Sequence, residues 1–271
     1  MSAFGAMTPL VRALVATGRT AEAHAVLTVG LAFLDTHPGL GIETSAGFAQ
    51  AIVAAPGEPR VAEAAAAAAM GAAEDIPFYR MQSALLLGTP GYAWATRREA
   101  REAADTAAEI AALLGNAGAT AAAALISAAA GRTRGHDDGR VYGALAQAHE
   151  LGIRPLVVDG LALVGALARD AGRASVAARL HGAGERLRAE LGAAVSPLGG
   201  LLAPDAAFLT AHAEAVAEGA RLKEVAAVGY ALRSRGRRGR PKTGWDSLTP
   251  AERQVVALAA RVRTNRRSPS A

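Results

Sequence analysis

Alanine-rich stretches, broken at intervals by glycine or proline, set what this chain can fold into. Alanine has the highest helix propensity of any residue, and each glycine or proline marks a stop. Aromatic residues make up only 4% of the chain. Strand-like alternation is scarce, so the pattern predicts an all-α fold built from antiparallel helix pairs, with no sheet. Just over half of the residues are hydrophobic, enough for a core. Alanine side chains bury little area each, so the helices are expected to pack closely with a modest gain per residue.

Taken in order, the spacing predicts helices at Thr8–Ala16 (with Thr8-Pro9 as the cap), Thr20–Thr36, Glu43–Ala54, Pro59–Ala73, Pro77–Leu87 and Thr96–Leu114. Further helices are predicted at Ala117–Ala130, Asp138–Leu151, Pro155–Ala171, Arg173–Leu191, Pro204–Glu218 and Arg221–Ser234. Two hairpins share a signature. Gly18-Arg19-Thr20 is followed by Ala23 and Val26, as Gly172-Arg173-Ala174 is by Ala177 and Leu180. A glycine turn with a small residue four or five positions later resembles tetratricopeptide hairpins, and the resemblance implies a tetratricopeptide-like array of degenerate repeats. In the clearest pair, Leu156, Gly160, Leu163 and Leu167 form one stripe and Val176, Leu180, Ala183 and Leu187 its partner. Arg186 and Glu190 stand at i,i+4 spacing on the outer face.

The chain has no cysteine. Disulfides, thiolate metal sites and a cysteine nucleophile are excluded, and a cytoplasmic setting is expected. The uncharged run Ile110–Gly131 is long enough to span a membrane. Its Gly115, Asn116, Gly118, Thr120 and Ser127 instead predict two packed helices with a Gly-Asn turn between them, and no membrane contact. No phosphate-binding loop is present, because Pro241 precedes Lys242-Thr243 where that loop requires glycine. Neither G-x-S-x-G nor H-E-x-x-H occurs. His136-Asp137-Asp138 reads as a polar loop and not one edge of a metal site, and Glu150 beside His149 as a solvent-facing residue. No catalysis, cofactor or metal is expected.

Charge is unevenly distributed. Residues Arg233 to Ala271 carry a net +9 and the rest a net −4, within a total of +5. An acidic-to-neutral body with a basic end suits contact with nucleic acid. Arg237, Arg238, Arg240 and Lys242 lie in "RSRGRRGRPKT", where Gly236, Gly239 and Pro241 prevent a regular element. The segment reads either as a solvated linker or as an arm that displaces counterions from phosphates without reading sequence.

Beyond it, Leu248-Thr249-Pro250-Ala251-Glu252 is a helix start. Thr249 is the N-cap, Pro250 occupies the first helical position and Glu252 completes the capping box. Val255, Val256, Leu258 and Ala259 follow as an apolar stripe. The wording "GWDSLTPAERQVVALAA", with Thr264-Asn265-Arg266 after it, resembles the opening of the LuxR-type helix-turn-helix DNA-binding module. Arg221–Leu232 likewise resembles the last body helix of the large ATP-binding regulators that carry this module. Val262 and Arg263 stand where the family has Gly and Leu, and the match stops after Arg266.

The resemblance implies three parts: a helical-repeat domain over 1–234, a basic linker over 235–247, and a truncated helix-turn-helix over 248–271 without its recognition helix. DNA is the implied partner, met specifically only in an intact parent and through Thr264 and Asn265 at the turn. A protein partner or a second copy could use the helical body. Removing one base from a GC-rich coding of a family-like "TNREIAER" gives "TNRRSPSA", the string Thr264 to Ala271. A one-nucleotide frameshift is therefore expected at this end. The competing expectation is a helical-repeat interaction protein with no DNA role.

Overall fold

The computed structural model describes residues 3–37, 43–54, 59–72, 76–88, 97–132, 139–193, 198 and 202–235. Every regular element among them is an α-helix, and the fold is all-α. The helices are α1 (Ala3–Ala16), α2 (Thr20–Thr36), α3 (Glu43–Ala54), α4 (Pro59–Ala72), α5 (Pro77–Gly88), α6 (Arg97–Leu113) and α7 (Ala117–Gly131). They continue as α8 (Arg140–Glu150), α9 (Arg154–Asp170), α10 (Ala174–Glu190), α11 (Ala206–Ala211), α12 (Ala213–Ala220) and α13 (Glu224–Arg233). Residues up to Ser234 make one compact unit.

The tight links share one device. Gly18, Gly115, Gly152, Gly172 and Gly192 all have φ between 62° and 77°. This left-handed conformation costs glycine nothing, because it has no Cβ. At each, the glycine N–H donates to the carbonyl three residues back and the next N–H to the carbonyl five back, as in Gly172 to Arg169 at 2.9 Å and Arg173 to Ala168 at 2.8 Å. This double bond pattern is the Schellman motif, and it satisfies carbonyls that a helix end leaves orphaned. After four of the five, the residue following the glycine opens the next helix, its carbonyl accepting the first intrahelical bond. Asn116 adds a side-chain cap to the Ala119 N–H at 3.0 Å. The uncharged run Ile110–Gly131 is thus the end of α6, the Gly115-Asn116 turn and α7. No helix among the described residues is long and apolar enough to cross a membrane.

Helices pack chiefly on their neighbours in sequence, and the core is divided accordingly. Met7, Val11, Leu14, Leu27 and Ile52 fill a cluster among α1 to α4. Met81, Ile110 and Ala119 fill another across α5 to α7. The largest joins α7 through α10 and α13, with Leu125, Leu145, Leu161, Leu180 and Val228.

Three local readings of the sequence are corrected. First, α1 does not begin at Thr8-Pro9. It starts at Ala3 and carries Pro9 inside it; burial of Met7 and Val11 on either side of Pro9 holds that turn in the core. Second, Pro204–Glu218 is not one helix. His212, at φ −123° and ψ 26°, ends α11 and starts α12. The bend lets α12 lay Gly219 against the Arg179 backbone and brings Val216 to Gly182. Third, the stripe through Gly160 does not face α10. Gly160 abuts Leu145 of α8, while Leu161 and Gly165 face Gly184, Leu180 and Ala177 of α10. Helix α9 lies between two neighbours and is buried nearly all round, so a one-sided stripe cannot describe it.

Candidate functional site

Helix α13 leads into the basic segment, and basic side chains from three other helices hold it. Its first-turn residue Glu224 is the common acceptor at one end. His149 Nδ1, at the end of α8, donates to Glu224 Oε1 at 2.9 Å. Arg154 Nε, at the start of α9, donates to Glu224 Oε2 at 2.9 Å. Arg154 Nη2 reaches Glu190 Oε2 at 2.8 Å, and Arg186 closes on the other Glu190 oxygen. Hydrogen bonds to Glu190 first, then to Glu224, hold the Arg154 guanidinium above its ordinary range. A carboxylate in the first turn also suits the positive end of the helix dipole.

The middle and end of α13 are fixed by α10 and its approach. Arg179 Nη1 donates to the Tyr230 hydroxyl at 2.9 Å, its guanidinium carbon lies 5.2 Å from the ring centroid, and it pairs with Glu218 of α12. Arg173 donates to the carbonyl of Ser234, placing a cation where the dipole is negative. Ala227, Val228 and Ala231 supply the apolar contact beneath. A pull on the end of α13 therefore loads α8, α9 and α10 directly.

Two of the cavities in the helical unit stand out among the described residues. One, of about 400 Å³, is largely apolar and opens among α1, α3, α5, α7 and α9; Arg12 and Gln82 meet across it at 2.7 Å. The other, of about 260 Å³, lies along α9 and α10 with Leu202-Ala203-Pro204 on its rim. Arg169, His181, Glu185 and Arg188 are its ionisable lining. Burial pushes the His181 imidazole down; Glu185 opposes this, and Arg169 and Arg188 reinforce it. At the larger cavity, the buried carboxylate of Asp159 accepts the Leu198 N–H at 3.2 Å.

The residues that sequence singled out fall elsewhere. Arg237, Arg238, Arg240, Lys242, Thr249, Glu252, Thr264 and Asn265 lie outside the described residues, as does His136-Asp137-Asp138. Glu150 is exposed, as expected, whereas its neighbour His149 turns to Glu224. No group of three or more metal-ligating side chains occurs among the described residues. The clamp was not apparent in sequence, because Glu224 is 75 residues from His149 and 70 from Arg154.

Over 134 residues the chain is 37% identical to proteins named as helix-turn-helix (HTH) transcriptional regulators in two strains of Mycobacterium tuberculosis and in Mycobacterium bovis. The match takes in 46% of this chain and 15% of each relative. The chain thus spans a small part of the relatives' length, and over less than half of its own it is related to HTH regulators. No protein-family profile matches it, and no solved structure does.

Proposed function

We propose that this chain is the helical body and the opening of the DNA-binding module of a LuxR-type transcriptional regulator. The likeness to HTH regulators carries the proposal, and the LuxR assignment rests on "LTPAE" at Leu248–Glu252 and on Thr264-Asn265. The body, read as a tetratricopeptide-like array, senses a signal or a partner, and α13 passes its state to the basic segment. No catalytic step belongs to this role. DNA binding in the whole regulator requires a recognition helix in the major groove. The residues that fit the module run to Arg266, and what this segment supplies to DNA is phosphate contact through Arg237, Arg238, Arg240 and Lys242.

A titration against promoter and random duplexes tests this. The expected result is weak binding that is indifferent to sequence and falls steeply with salt. Appending a family-like second and recognition helix after Asn265 should restore discrimination. Failure to do so would leave a helical interaction protein with no DNA role. Strong discrimination by the unextended chain would also overturn the proposal.

A further inference from the structure

The 260 Å³ cavity beside α9 and α10 has one wall that is apolar and one that is not. Small residues, Gly165, Ala177 and Gly184, make the room. At the polar end, Arg188 is committed: it pairs with Glu185 through Nε and Nη2, at 3.1 and 2.6 Å, and donates to the Ala193 carbonyl at 2.7 Å. Arg169 is not. Its one hydrogen bond among the described residues is to the Leu202 carbonyl at 3.5 Å, and its guanidinium carbon stands 6.0 Å from the centroid of Phe208. A guanidinium has five N–H donors in a fork that matches a carboxylate. His181 lines the same space, half-buried and with no hydrogen bond among the described residues. Its ring nitrogens are open to solvent, so a carboxylate that accepts from one of them would take the place of water.

We infer that this cavity binds a small apolar monocarboxylate, its carboxylate held by Arg169 and His181 and its body laid against Val158, Leu180 and Leu202. With Arg188 neutralised by Glu185, the wall offers one net positive charge, which a monoanion balances and a compact dianion exceeds. The volume falls just below the usual range of ligand pockets, room for a short chain or one ring. The site stands whether or not the chain contacts DNA.

Isothermal calorimetry on the full chain tests it with three probes: benzoate, its neutral analogue benzyl alcohol, and inorganic phosphate. Benzoate is expected to bind, with the other two at least about tenfold weaker, the factor one charge-assisted contact supplies. Arg169→Gln should weaken benzoate about tenfold while thermal melting confirms folding. Ala162→Leu, which fills the cavity and leaves every charge in place, should abolish the heat. No benzoate binding up to about 10 mM, equal binding of the alcohol or of phosphate, or indifference to both variants would each overturn the inference.

Discussion

Gly182 and Gly219 show how much a missing Cβ can decide. Helices α10 and α12 touch through backbone: a Cβ on Gly182 would run into the Val216 carbonyl, and one on Gly219 into the Arg179 carbonyl. Neither obstacle is the end of a flexible side chain, so the helices would have to part. Alanine at either position gains about 1 kcal/mol of helix propensity. We expect Gly219→Ala nevertheless to destabilise by about 2 kcal/mol in urea unfolding, because overpacking outweighs propensity. Gly143 in α8 is the control. Its surroundings are open, so Gly143→Ala should stabilise, by up to about 1 kcal/mol.

His181 gives a pH dependence with a definite sign. Its folded-state pKa is depressed, by burial first, while Glu185 opposes and Arg169 and Arg188 assist. The unfolded chain then binds the proton more readily than the folded one. This contribution to stability is complete above the ordinary histidine value of about 6.5 and is lost as pH falls from there toward the folded value. Urea midpoints should decline across that window, and His181→Asn should flatten the decline. A steeper decline in the variant would contradict the assignment.

Among the elements, α13 depends most on contacts distant in sequence. It is ten residues long, too short to persist alone in water. Tyr230→Phe keeps the ring under Arg179 and removes the hydroxyl that accepts its hydrogen bond; the expected cost is about 1 kcal/mol. Glu224→Gln removes the charge shared by His149 and Arg154. Hydrogen exchange should then quicken in α13 before it does in α9, and equal acceleration of both would show that the clamp is not local. This is also where sequence and structure part. Helix existence was legible, because alanine propensity and glycine stops act within a few residues. The break at His212 was not, since only the approach of α12 to α10 requires it. The clamp and the smaller cavity were not, since both are made by residues from separate helices. The basic segment was legible as charge alone.

At the scale of the molecule, the divided core implies graded stability. The clusters of α1 to α4 and of α7 to α10 have no buried side chain in common, and a core divided in this way lets one part open before another. Val11→Ala should destabilise α1 to α4 by about 1–2 kcal/mol and speed exchange there, leaving α9 and α10 slow. Uniform acceleration would indicate a single cooperative unit. Purified chain should show no ATP turnover, as expected from the missing phosphate loop; turnover abolished by one substitution would reveal an overlooked site.

The glycine turns bear on synthesis as well. Each closes its helix end using residues already made, and after four of the five the partner helix follows a link of three residues. Contacts within a pair such as α9 and α10 are therefore nearly all short in sequence, and loops that short close cheaply and fast. A nascent chain leaving the ribosome can complete one hairpin before the next has been translated. Helix α13, whose anchors on α8, α9 and α10 are made long before it, is then the latch that engages last among the described helices.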